Sequence, residues 1–212
     1  LRLGQLFERI GELDRASVWY DAALNDHSEW GMDSVPALLG LGNVAFARGM
    51  SEQAEELVDK AIAILNEAEE SSSDFHVVAM RLKALASRKK GKSDECKTLL
   101  LSALKLSEEK DVSEYRGELL LDLARVEFEE DQTVNSIRYA RRALHLSRKL
   151  GRLSVASDSQ IEIARNLLRK GRIRTARRTL LTVLQSVRRS GDRWREAIVL
   201  RELGTLRFHL AD

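Results

Sequence analysis

Residues 161–187, "IEIARNLLRKGRIRTARRTLLTVLQSV", decide the fold. Ile161, Ala164 and Leu168 recur at intervals of three and four, and so do Ile173, Ala176, Leu180, Val183, Leu184 and Val187. That spacing gathers apolar side chains on one face of an α-helix. Gly171 stands between the two stripes, where a helix-ending turn favours a residue that accepts positive φ. The stretch therefore predicts two helices joined by a tight turn. Ala164 on the first helix and Ala176 on the second are small, which lets the two backbones approach closely.

The same arrangement recurs along the chain. Gly11, Gly49, Gly91 and Gly171 share one phase, with Asp131 in the remaining slot, at spacings of 38, 42, 40 and 40 residues. Five residues after each stand Ala16, Ala54, Cys96, Ser136 and Ala176, and seven further on Ala23, Ala61, Ala103, Ala143 and Val183. Seven before each turn stand Gly4, Gly42, Ala84, Ala124 and Ala164, and Gly204 continues that column. Periodicity of this length is the signature of a helical repeat array. It predicts eleven helices, near 1–10, 14–25, 35–48, 52–66, 74–90, 93–107, 113–130, 133–149, 154–170, 173–189 and 193–210. The expected organisation is one repeat domain over 1–212, with units near 1–34, 35–73, 74–112, 113–153 and 154–192 and a half unit at 193–212.

Leu3, Gly4, Phe7, Ala16, Tyr20 and Ala23 in the first unit, and Leu41, Gly42, Ala54 and Ala61 in the second, resemble the tetratricopeptide repeat (TPR) family. In the second unit Ala45 and Val58 occupy the family's aromatic slots, and the third and fourth units keep only the spacing and the small residues. The resemblance implies an all-α, right-handed α-α superhelix of about five and a half hairpins, whose first helices line a groove for an extended peptide or partner helix. Units of about 40 residues look like the helical arrays of bacterial maltose-regulator-type and LuxR-type signalling proteins and related signalling ATPases.

Composition agrees with this class. Hydrophobic residues at 43% and charged residues at 32%, with a single Pro, suit a soluble helical protein. No apolar run approaches a membrane span, and the single Cys96 excludes an internal disulfide framework and fits a reducing, cytoplasmic setting. Leu1 falls inside a helical pattern, so the chain is expected to belong to a longer protein. The net charge of +2 conceals polarity: residues 1–131 carry 27 acids against 16 bases, and residues 132–212 carry 19 bases against six acids. Such a chain invites an acidic partner, nucleic acid or another copy at its basic end.

Apparent catalytic motifs do not fit their contexts. "GLGNVA" at 40–45 matches a dinucleotide fingerprint, with Asp59 downstream, but no strand precedes it and Gly42 belongs to the repeat column. Ser87–Lys90, Ser102–Lys105 and Ser107–Lys110 match S-x-x-K without its companion motifs. His27, His76, His145 and His209 show no metal-ligand spacing, and Cys96 has no second thiol nearby. The reading is a non-enzyme with no catalytic, cofactor or metal site.

Repeat phase places Gln5, Asn43, Leu85, Arg125, Arg165 and Thr205 in one groove column, and Leu39, Arg81, Leu121, Ile161 and Arg201 in its neighbour. Phe46, Arg88, Lys89, Phe128, Arg169 and Phe208 flank them. The candidate partner-binding residues are Asn43, Arg81, Arg88, Arg125, Phe128, Arg165, Arg169 and Arg201. Guanidinium groups amid aliphatic and aromatic slots suit an acidic, apolar peptide. Leu1, Gln5 and Leu85 stand where a chaperone-tail clamp would need Lys or Asn. Arg174, Arg177, Arg178 and Arg188 fall on the opposite face, and a nucleic-acid-binding array using this Arg-rich half is the rival function. The last helix carries a stripe of Ala197, Leu200, Leu203, Gly204 and Phe208, which is expected to need cover from a following element or from self-association.

Overall fold

The computed structural model describes residues 1–25, 31–68 and 73–211, with the side chains of residues 9, 10, 73 and 207–211 excepted. Its described residues form eleven α-helices and one short 3-10 turn, with no strand. They fall into two compact units, Leu1–Tyr115 and Arg116–Asp212.

The first unit holds α1 (Arg2–Ile10), α2 (Leu13–Asn25), α3 (Val35–Ala47), α4 (Ser51–Glu67), α5 (Ser73–Lys89) and α6 (Ser93–Glu109). The second holds α7 (Arg116–Glu129), α8 (Thr133–Lys149), α9 (Leu153–Arg169), α10 (Ile173–Ser190) and α11 (Arg193–Ala211). Odd-numbered helices are the first helices of hairpins and even-numbered ones the second. Within each unit every helix packs on its chain neighbours, and α3 also meets α5, α7 meets α9, and α9 meets α11.

The turns are left-handed where the repeat column places them. Gly11, Gly49, Gly91 and Gly171 have φ of 84°, 81°, 75° and 69°, and Asp131 adopts 60°. At each, the following N–H donates to the carbonyl five residues back: Glu12 to Phe7, Met50 to Ala45, Lys92 to Ser87, Gln132 to Glu127 and Arg172 to Leu167, at 2.8–3.0 Å. This closing bond satisfies a carbonyl that the helix end would otherwise leave without a partner. A second column, Asp111, Gly151 and Gly191, takes the same conformation between units and is equally legible as a 40-residue spacing.

The small-residue columns are buried as expected. Ala16, Cys96, Ser136 and Ala176 are fully inaccessible, Ala54 nearly so, and Ala61, Ala103, Ala143 and Val183 likewise. Ala23 is half-buried. Around them the first unit packs Tyr20, Leu38, Val44, Val58, Leu65 and Leu82, and the second packs Ile161, Leu180, Val187, Val199 and Leu206. Full burial of one such aliphatic side chain contributes about 1.5–3 kcal/mol.

Two local departures have physical causes. The seventh helix begins at Arg116 rather than 113 because Val112 is drawn into the core, 7% exposed, with its N–H on the Ser107 carbonyl at 2.9 Å. Residues 113–115 then turn before the next helix starts. A 3-10 turn, Met32–Ser34, leads into α3. Pro36 follows in the first helical turn, where a missing N–H costs nothing.

Candidate partner-binding faces

The motif at 40–45 lies inside α3. A methyl group at Gly40 would stand 2.4 Å from Tyr20 Cζ, and one at Gly42 3.1 Å from Val58 Cγ2. Both glycines admit a neighbouring helix, which leaves no phosphate cradle at this place. Asp59 pairs with Lys83 at 2.9 Å. Ser107 is buried and donates to the Leu104 carbonyl at 2.6 Å, Cys96 is buried and His145 is exposed on α8. His27 and the side chain of His209 lie outside the described residues.

Three of the predicted partner-binding residues belong to the first unit. Asn43 is half-buried, and its Nδ2 donates to Glu8, whose other carboxylate oxygen accepts from the Tyr20 hydroxyl at 2.6 Å. Burial, that hydrogen bond and the charge of Glu8 push the Tyr20 phenol far above its usual value. Arg81 and Arg88 are half-buried on α5, and both are engaged by other groups.

The other five lie on the first helices of the second unit, where the structure joins them into a lattice of ion pairs. Arg125 on α7 reaches Asp122 at 3.1 Å and Asp158 of α9 at 3.8 Å. Arg195 of α11 grips the same Asp158 through two nitrogens, at 2.8 and 3.0 Å, and Asp192 at 2.8 Å. Arg165 of α9 binds Glu162 at 3.3 Å and Glu202 of α11 at 2.8 Å, and Glu202 also meets Arg201 at 3.0 Å. Arg169 lies 3.7 Å over the Phe128 ring, donates to the Phe128 carbonyl and pairs with Asp131 at 2.7 Å. Burial opposes the charges of Arg165 and Arg195, but the facing carboxylates outweigh it and raise both pKa values. Burial likewise opposes ionisation of Glu202, and Arg165 with Arg201 outweighs it, holding that carboxyl below its usual range.

The acids of this lattice are the functional candidates that the reading of the sequence missed. Asp122, Glu162 and Glu202 form a column at intervals of 40, nine residues before the turn phase, and Glu118 and Asp158 form another. The same periodicity that exposed the glycines contains them. Their presence corrects the expected groove. Arg125, Arg165, Arg169, Arg195 and Arg201 face Asp122, Asp131, Asp158, Glu162, Asp192 and Glu202, so every arginine of the face is matched by a carboxylate. The aliphatic slots are also absent from it: Leu39, Leu121 and Ile161 are 4%, 3% and 3% exposed and belong to the core. Gln5 and Thr205 are exposed, Leu85 and Phe46 half-buried, and the Phe208 side chain lies outside the described residues. On α11, Ala197, Leu200 and Gly204 are exposed, whereas Leu203 is half-buried against the core.

Beneath the lattice runs a buried polar chain. The Asn166 amide donates to Ser136 Oγ at 2.8 Å and to the Glu162 carbonyl at 2.9 Å, and Ser136 donates to the Ala124 carbonyl at 2.7 Å.

No family model matches the sequence, and no curated protein matches it. Solved structures do match in fold. Aspartyl phosphate phosphatase F from Bacillus subtilis is 14% identical with a TM-score of 0.72, over 92% of this chain and 48% of its own. A Rap protein complexed with competence and sporulation factor is 16% identical with a TM-score of 0.72, over 99% of this chain and 59% of its own. A signal transduction ATPase with a tetratricopeptide repeat sensor from Pyrococcus horikoshii is 15% identical with a TM-score of 0.69, over 93% of this chain and 30% of its own. The fold is a TPR-like helical repeat. This chain thus spans about half the length of the first of these TPR-like neighbours, and among its described residues no helix is long and apolar enough to cross a membrane.

Proposed function

We propose that this TPR-like chain is a non-enzymatic interaction module, the sensory or scaffolding part of a larger signalling protein. Its partner is a peptide or helix that docks on the first-helix face of the second unit. The observation that carries the reading is the ion-pair lattice. The side chains of Arg125, Arg165 and Arg169 stay 31%, 28% and 35% exposed while being held in place by carboxylates. A guanidinium has five N–H donors, so a held arginine keeps donors for a partner. Because its rotamer is already fixed, the ordering cost of about 0.5–1.5 kcal/mol for each immobilised side chain is largely met before binding.

The balanced charge selects the partner's chemistry. Asp122, Glu162, Glu202 and Asp158 are 1%, 2%, 12% and 17% exposed, so they neutralise the arginines from beneath and leave guanidinium N–H groups as the donors a partner meets. A peptide whose backbone carbonyls and few carboxylates accept from these already neutralised arginines is therefore the best fit. Two structural neighbours support the general role: one is solved in complex with a second molecule, and another carries its TPR array as a sensor.

The test is selection of binders from a displayed peptide library against the intact chain, followed by hydrogen-exchange mapping. Protection on α7, α9 and α11, lost in Arg201→Glu with the circular dichroism unchanged, is the expected result. Selected peptides that protect only α8 and α10 would refute this placement of the site.

A further inference from the structure

The second helices of the second unit, α8 and α10, carry ten Lys or Arg and no acid. On α10, Arg174, Arg177 and Arg178 are exposed, and among the described residues none of the three has an ion-pair partner. With Ile173, Leu181, Thr182 and Gln185 they line a shallow concavity of about 490 Å³. Leu181 is 45% exposed and Ile173 half-buried.

Folding does not account for these arginines. A basic residue in the first turn of a helix faces the positive end of the helix dipole, which disfavours it. The equivalent turns of α2, α4 and α6 carry Asp14, Glu52 and the pair Asp94 and Glu95, and that of α8 is uncharged, whereas α10 carries Arg174 there and no acid. Like charges four apart on one helix, as in Arg174 and Arg178, repel. The cluster is locally unfavourable and has no counter-charge among the described residues, unlike every arginine of the lattice described above.

We infer that the outer face of α10 is a second docking surface, separate from the first-helix face, and that it takes an acidic amphipathic helix of a partner protein. Arg174, Arg177 and Arg178 receive the partner's carboxylates in bidentate pairs, and Leu181 with Ile173 receives its apolar stripe. The apolar strip is what favours a protein helix over a polyphosphate. A phosphate backbone has no use for an exposed leucine, and single-stranded nucleic acid needs stacking aromatics. None of the residues lining the concavity is aromatic.

The experiment titrates the full chain with three labelled probes: a synthetic helix with glutamates on one face and leucines along one edge, the same helix with its leucines replaced by alanine, and a short DNA duplex. Raising salt from about 50 to about 200 mM separates the modes, because binding driven only by counterion release falls steeply over that range. The Glu/Leu helix should bind saturably and keep most of its affinity in the higher salt. It should lose about tenfold or more on Arg174→Glu/Arg178→Glu, and a comparable amount on replacement of its leucines. All of these positions are exposed, and circular dichroism of each variant confirms the fold. Equal affinity for both helices, tighter binding of the duplex at the higher salt, or binding unaffected by the double reversal would each overturn the proposal.

Discussion

Gly40→Ala probes the packing logic most directly, because the same substitution elsewhere in this chain should act in the opposite direction. In a helix interior alanine is favoured over glycine by about 0.8–1.0 kcal/mol. At Gly40 the added methyl would lie 2.4, 2.6 and 2.7 Å from three carbons of the Tyr20 ring, about 1 Å inside the usual carbon–carbon contact of about 3.5–4.0 Å. The ring has little room to yield. It is 1% exposed, its hydroxyl is tied to Glu8, and α1 abuts it so closely that a methyl at Gly4 would lie 2.7 Å away. Overpacking of this kind costs about 1–3 kcal/mol, and the upper end applies here, leaving a net destabilisation of about 1–2 kcal/mol after the helix preference is credited. Urea unfolding followed by far-ultraviolet circular dichroism and by tryptophan fluorescence measures it. Gly204→Ala, whose methyl meets nothing within 4 Å, should stabilise by about 1 kcal/mol. Gly42→Ala, 3.1 Å from one Val58 methyl, should fall near zero. Tyr20→Leu combined with Gly40→Ala should show a coupling of about 1 kcal/mol or more, as neighbours in contact do. A Gly40→Ala chain as stable as its parent, or a shift equal to that at Gly204, would refute the argument.

Stability of the second unit should weaken in acid through Glu202. Its folded pKa lies below the unfolded value of about 4.3, so its contribution is complete above that value and is lost as pH falls through the folded pKa. Thermal midpoints measured downward from neutral pH should therefore decline less steeply in Glu202→Gln, and parallel curves would count against the pairing with Arg165. Ser136→Ala removes the acceptor of the buried Asn166 amide and the donor to Ala124. It should cost about 1–3 kcal/mol, read by urea denaturation, and a loss below a few tenths would show the chain of bonds to be dispensable. NAD, FAD and ATP should not bind at residues 40–45, since Tyr20 and Val58 fill the space beside both glycines. Calorimetric titration checks this, and a saturable signal abolished by Gly42→Val in a folded chain would contradict it.

Much of this architecture is written in the sequence because a repeat states its own register several times. Gly11, Gly49, Gly91 and Gly171 are needed where the backbone turns left-handed, and a glycine is nearly the only residue that does so without strain. Ala16, Ala54 and Ala176 are needed where two helices touch. Local chemistry of this kind fixed the eleven helices to within about three residues of their observed ends. The partners of the arginines were a different matter. Arg125 and Arg165 share a phase with each other and a spacing with Asp122, Glu162 and Glu202, but periodicity assigns a side chain only to a face of its own helix. Whether that face meets solvent, a partner or a carboxylate depends on the helix packed beside it. Asp158 of α9 and Glu202 of α11 reach back across the helix crossing to the arginines of the preceding repeat. The same reason moved Leu39, Leu121 and Ile161 from the expected groove into the core: a first helix packs against more than one neighbour, so its buried stripe is wider than a single hairpin contact implies. On the second helices the relation reverses. With one face turned to solvent, Arg174, Arg177 and Arg178 stand where their helical spacing alone puts them, and tertiary structure adds only that no carboxylate of the described residues reaches them.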